Sequence, residues 1–239
     1  MAEIAVVGPG RAGRSIGEAL KECDHQVSYF GRGDDISSLA SDFEIAILAV
    51  PDKSVSEVAK IIKPNSGCVV HLSGSLDLSV LNPHIYKASI HPLCTLPNAD
   101  VGKKRLRSGC YFAVAGDERA KKLVIDLGGF LFSVPEDKRA IYHLGATLAS
   151  NYVVALLNQA LKLADELNID KNAIINLAQG ALEDVLLLGP RDALTGPAAR
   201  KDDITIDLHQ KIYSQHFPEF KDLFGLLVKL AQQIKDSDL

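Results

Sequence analysis

The chain has 239 residues, and its 26 Lys and Arg against 30 Asp and Glu leave a net charge of −4, so no overall basic field recommends a nucleic-acid partner. That length holds one large domain or two modest ones with ample core. Cys23, Cys68, Cys94 and Cys110 form no C-x-x-C pair and suggest neither a metal site nor a disulfide framework, while no leader precedes the first strand and no apolar stretch approaches a membrane span, so a cytoplasmic protein is expected.

A short apolar strand, Ile4 to Val7, opens the chain and runs into Gly8-Pro9-Gly10-Arg11-Ala12-Gly13, after which a helical pattern extends from Arg14 to Cys23. In that setting G-x-G-x-x-G signals dinucleotide binding. The first glycine permits the tight turn, the second lets a pyrophosphate approach the backbone, and the third lets helix pack on strand. The helix then presents its free N–H groups and positive dipole end to the phosphates. Gly8, Gly10, Arg11, Ala12 and Gly13 are therefore cofactor-binding candidates.

Strands are predicted further at 26–30, 45–50, 68–72, 88–90, 111–115 and 130–134, with helices at 54–62 and 118–127 between them. This alternation argues for a parallel sheet with helices on both faces. After Pro135 the pattern becomes helical, over 137–168, 171–188 and 217–234. The reading is α/β: an N-terminal Rossmann dinucleotide-binding domain, residues 1–135, followed by an all-α C-terminal domain, residues 136–239, for substrate binding and dimerisation.

The second strand ends Tyr29-Phe30-Gly31-Arg32, with a guanidinium where an NAD-binding domain usually carries Asp or Glu. Arg32 can pair with a 2′-phosphate, which favours NADP (NADPH) over NAD, although Asp34 and Asp35 follow it. Val50-Pro51 ends the next strand at the edge where open sheets hold ligands, and is assigned to the cofactor. Ser73, in His71-Leu72-Ser73-Gly74, is assigned to the reaction centre, touching cofactor and substrate. His71 reads as a satisfied core histidine.

On the long helix, His143, Thr147, Ser150, Asn151 and Asn158 recur at helical spacing along one face, beside the small Ala146. A polar stripe among small residues on an otherwise apolar helix reads as a cavity wall. Reduction of a ketone or imine needs a proton donor and a group that polarises the double bond. His143 suits the first role and Asn151 the second, with Lys138 the rival donor from the helix start. Thr147 and Ser150 line the substrate side. Thr195, in Leu194-Thr195-Gly196-Pro197, and Arg200 offer a hydroxyl and a carboxylate clamp, and His91 approaches the same cleft.

Gly8 to Gly13, Ala49-Val50-Pro51-Asp52, His71 to Gly74, His91-Pro92, Tyr142-His143 to Ser150-Asn151, and Leu194 to Pro197 with Arg200 and Asp202 together resemble a known family. It comprises Rossmann-like oxidoreductases with a helical C-terminal domain long labelled as of unknown function, similar in layout to ketopantoate reductases, pyrroline-5-carboxylate reductases and β-hydroxyacid dehydrogenases. The resemblance covers essentially the whole chain. It implies NADPH-dependent reduction of a small 2-oxo acid, ketopantoate first, with an imino acid such as pyrroline-5-carboxylate, or a non-catalytic redox sensor, as alternatives. The wider superfamily places Gly, Lys and Asn at four-residue intervals on the first interdomain helix. With Asn151 aligned to that Asn, Thr147 stands at the lysine position and His143 at the glycine position, which argues for His143 as donor and Lys138 in reserve. A homodimer is expected.

Overall fold

The computed structural model describes residues 1–236. Seven strands, β1 (Glu3–Val7), β2 (Gln26–Phe30), β3 (Ile45–Leu48), β4 (Cys68–His71), β5 (Lys87–Pro92), β6 (Tyr111–Gly116) and β7 (Phe130–Phe132), form one sheet in the order β2-β1-β3-β4-β5-β6-β7. Helices α1 (Arg11–Lys21), α2 (Leu39–Asp42), α3 (Asp52–Ile61), α4 (Ala99–Leu106) and α5 (Glu118–Asp126) connect them. The sequence pattern misses α2 and α4. The parallel sheet it argues for carries one antiparallel pair, β5 with β6, Ala88 opposite Gly116 and Pro92 opposite Phe112.

Strand β1 shows why the sheet is buried on both faces. Ile4 and Val6 enter one apolar core with Ile16 and Leu20 of α1, while Ala5 and Val7 enter the other with Val55 and Ala59 of α3. This is the period of two expected of a strand covered on both sides, each large side chain contributing roughly 1.5–3 kcal/mol. Because β1 connects to β2 on one side and lies against β3 on the other, the chain reverses its winding there. A crevice opens outside the carboxyl ends of these strands.

After β7 the chain is helical: α6 (Arg139–Thr147), a π-turn over Leu148–Tyr152, α7 (Val153–Glu166), α8 (Lys171–Ala193), α9 (Gly196–Arg200), α10 (Asp203–His216) and α11 (Leu223–Asp236). The expected uninterrupted helix over 137–168 is thus broken in register at its middle. A kink at Gly189-Pro190 marks the expected end of α8, and α10 went unpredicted. The segment Glu136–Glu166 is long and apolar enough to cross a membrane by length and composition, with mean hydropathy 1.3 in its most apolar window, which corrects the expectation that nothing approaches a span.

Two compact units emerge among the described residues, 1–153 and 154–236, dividing inside the long helix, whereas the sequence reading draws its boundary at Pro135-Glu136. In the second unit Tyr213 and Phe217 are buried, Tyr213 packs on Phe224, and its hydroxyl donates to Gln159 Oε1 at 2.6 Å. Many large apolar side chains there are exposed, among them Leu177, Leu186, Leu187 and Ile204.

Candidate active site

Helix α1 begins at Gly10, which accepts the Arg14 N–H, and its first turn carries no acidic residue. No acidic side chain of that first turn therefore competes for the early N–H groups of α1. The turn is dictated by close approach: a Cβ on Gly13 would stand 2.2 Å from the Gly8 carbonyl oxygen, while one on Gly10 would meet nothing within 4 Å. Beside it, Gly8, Arg32, Val50 and Pro51 line a cavity of about 410 Å³ at the ends of β1, β2 and β3. Asp34 and Asp35 line it too, but Asp34 Oδ2 accepts the Gly31 N–H at 2.7 Å and Asp35 Oδ1 accepts the Ser37 N–H at 2.9 Å. Among the described residues Arg32 makes no ion pair, so its guanidinium is available to an anion.

The loop after β4 is cross-braced. Ser73 Oγ donates to Asp52 Oδ2 at 2.7 Å and accepts from the N–H groups of Ser75 and Leu76 at 3.2 Å, so its hydroxyl is engaged toward the start of α3. His71 is buried with both ring nitrogens partnered, to the Ser73 N–H and the Asp77 carbonyl, as a satisfied core histidine should be. Burial, reinforced by the Arg139 charge, pushes its pKa down to about 4. Gly74 follows. A Cβ there would stand 2.6 Å from His143 Cδ2 and 2.9 Å from His91 Nε2, so only glycine admits both imidazoles.

Those imidazoles border a second cavity of the first unit, about 660 Å³, lined by His91, Tyr142, His143, Thr147, Ser150 and Asn151 among others. The structure brings together here the polar face read from the helix. Thr147 Oγ1 donates to the His143 carbonyl at 2.9 Å and Ser150 Oγ to the Ala146 carbonyl at 2.6 Å. Such back-bonding bends helices, and a π-turn of this kind recurs at functional sites. Asn158, the last member of the stripe, instead lines a cavity of the second unit with Gln159, Lys162 and His216.

Lys138 closes a short 3₁₀ turn before α6, is exposed, and lies 3.5 Å from Asp137. It is not among the residues lining the 660 Å³ cavity. The neighbouring Arg139, which the sequence reading passed over, is 2% exposed, and its Nη2 donates to the Ser73 carbonyl at 2.9 Å and to Ser89 Oγ at 2.7 Å. Also missed was Tyr142, whose hydroxyl lies 2.6 Å from His91 Nδ1. In the second unit, Thr195 precedes α9 and lines a cavity of about 220 Å³ with Pro197, Ile206 and His209, and Arg200 ends that helix exposed. Among the described residues no cluster suited to a metal ion occurs, and all four cysteines are free.

Several solved structures share this fold. A Thermotoga maritima protein is 23% identical, with 98% of this chain and 99% of that one covered, at a TM-score of 0.72. A Bacteroides fragilis protein provisionally described as an NADP oxidoreductase is 19% identical, with 97% and 98% covered, at 0.79. Plasmodium falciparum pyrroline carboxylate reductase with NADP bound is 13% identical, with 98% of each chain covered, at 0.65. No curated protein matches the sequence. Residues 110–231, more than half of the chain, match the family described as a domain of unknown function, DUF2520, and the chain belongs to that family.

Proposed function

We propose that the chain is an NADPH-dependent reductase of a small carbonyl or imine compound. The observation that carries this reading is the pair of features on one unit: a glycine turn whose Gly10 leaves open space before a helix N-terminus, and a polar cavity bordered by two imidazoles. The residues fit the cofactor. Gly8 to Gly13 would hold the pyrophosphate on α1, Arg32 the 2′-phosphate, and Val50 and Pro51 the adjoining ribose. When bound, the cofactor supplies hydride.

The chain's own residues then polarise and protonate the substrate. Asn151 and His143 border the cavity where a developing oxyanion or amine needs a hydrogen-bond donor and a proton, Thr147 and Ser150 shape it, and Lys138 stands in reserve. Thr195 and Arg200 remain the proposed carboxylate contacts. Ketopantoate is the first substrate, on the grounds of the resemblance. A small imino acid is second, favoured by the likeness to pyrroline carboxylate reductase and to a Myxococcus stipitatus imine reductase in complex with NADP+. A homodimer accompanies this reading, since exposed Leu177, Leu186 and Leu187 call for apolar cover. Titration with NADPH and NADH tests cofactor use, with NADPH expected to bind more tightly, and light scattering tests the dimer. Failure to bind either nucleotide would overturn the reading.

A further inference from the structure

His91 sits on β5, next to Pro92, at the rim of the 660 Å³ cavity. Its ring is gripped from two sides. Tyr142 stands perpendicular to it at 88° with centroids 5.4 Å apart, and His143 packs edge-on at 5.8 Å. Tyr142 is itself backed by Phe132 at 5.7 Å. This arrangement fixes the imidazole plane, and the 2.6 Å contact between His91 Nδ1 and the Tyr142 hydroxyl fixes its rotation. Among the described residues Nε2 makes no hydrogen bond, and it packs close to Gly74, where a Cβ would stand 2.9 Å from it.

A neutral imidazole carries one N–H, and its partner decides where. Tyr142 keeps its phenolic proton, since burial pushes its pKa up to about 12 against the opposing Arg139 charge. A phenol that donates to Nδ1 leaves the histidine proton on Nε2, beside Gly74. Burial first, then the charges of His143, Arg139 and His71 against that of Asp52, push His91 down to about 4, so it stays neutral at physiological pH. A neutral imidazole held in place polarises a carbonyl by donating a hydrogen bond to the charge that develops on it.

We propose that His91 is the group that polarises the substrate's reducible bond, through its Nε2–H, and that Tyr142 is the positioning residue that sets this tautomer. The proposal rests on the reductase reading. It adds to Asn151 a donor on β5 that borders the same cavity, and it gives Tyr142 a role through His91 alone.

The test uses the full chain with ¹⁵N-labelled histidine. Nitrogen-resolved spectra of the wild type should show His91 protonated at Nε2 and bare at Nδ1 from about pH 5.5 to about pH 8, and Tyr142→Phe should yield a mixture of tautomers. In turnover, Tyr142→Phe should lower kcat about tenfold with the NADPH dissociation constant unchanged. His91→Gln, which keeps an N–H donor, should retain more activity than His91→Ala. A wild-type proton on Nδ1, or a Tyr142→Phe variant with unchanged tautomer and kcat, would overturn the proposal. A chain that turns over substrate with the Nδ1–H tautomer fails the proposal alone. One that shows the Nε2–H tautomer but binds no nucleotide fails the reductase reading and, with it, the donor role.

Discussion

Gly10→Ala separates the binding role of the glycine turn from its structural one. Gly10 has φ −78° and ψ −164°, which alanine adopts without strain, and a Cβ there meets no atom within 4 Å. Folding stability should therefore change by less than about 1 kcal/mol, and in the stabilising direction, because alanine has fewer unfolded conformations to lose. The same methyl occupies the approach to the first-turn amides of α1. A phosphate kept from them loses hydrogen bonds of a charged group, worth about 1.5–3 kcal/mol, so NADPH affinity should fall by roughly ten- to a hundredfold. Gly13→Ala is the contrast, because its Cβ would stand 2.2 Å from a backbone carbonyl and 3.0 Å from Ala49 Cβ. Backbone must shift, at a cost on the order of 1–3 kcal/mol or more. Urea denaturation and NADPH fluorescence titration of the two variants read both quantities. A Gly10→Ala protein that binds NADPH as tightly as the parent refutes the assignment of this turn to the pyrophosphate, whatever its stability.

Arg32→Asp should weaken NADPH by about 1.5–3 kcal/mol while sparing NADH, and equal losses for both nucleotides would remove Arg32 from the 2′-phosphate. Asn151→Ala should lower turnover about a hundredfold with cofactor affinity retained; a loss confined to cofactor binding would contradict its placement at the reacting group. His143→Ala should depress turnover and Lys138→Ala should not, since Lys138 is exposed beside Asp137; the reverse pattern would reassign the proton donor. The buried His71 has a folded pKa near 4, below its unfolded value of about 6.5, so the folded state prefers the neutral ring. Its contribution is complete above about pH 6.5 and is lost as pH falls toward 4, on the order of 3 kcal/mol. Denaturation between those pH values should show stability falling, and His71→Asn should flatten the slope; an unchanged slope would mean other groups carry it.

The glycine turn was legible because sterics dictate it: Gly13 is glycine for the sake of a carbonyl five residues earlier, within one local motif. The cavity face was legible in part for a similar reason, His143 and Thr147 lying four residues apart on α6, whereas Ser150 and Asn151 reach the same cavity from the π-turn. What escaped depends on distant contacts. The 18 residues between β5 and β6 include α4 and resemble a parallel crossover, so the antiparallel return of β6 was hidden. Arg139 stands next to Lys138 in sequence, yet a 3₁₀ turn ends at Lys138 and places one cation in solvent and the other in the core. The His91–Tyr142 contact joins residues 51 apart. The π-turn is a matter of backbone hydrogen bonding to which the hydrophobic period is blind.

The central claim, reduction of a small carbonyl or imine substrate by NADPH, is tested most directly by following NADPH consumption through its own absorbance against ketopantoate, pyrroline-5-carboxylate and a set of 2-oxo acids. Turnover is predicted, fastest with ketopantoate and lost in His143→Ala. Turnover with the imino acid alone would move the substrate to the second reading. Tight NADPH binding with no consumption on any compound would contradict the account and favour a chain that senses the cofactor without using it.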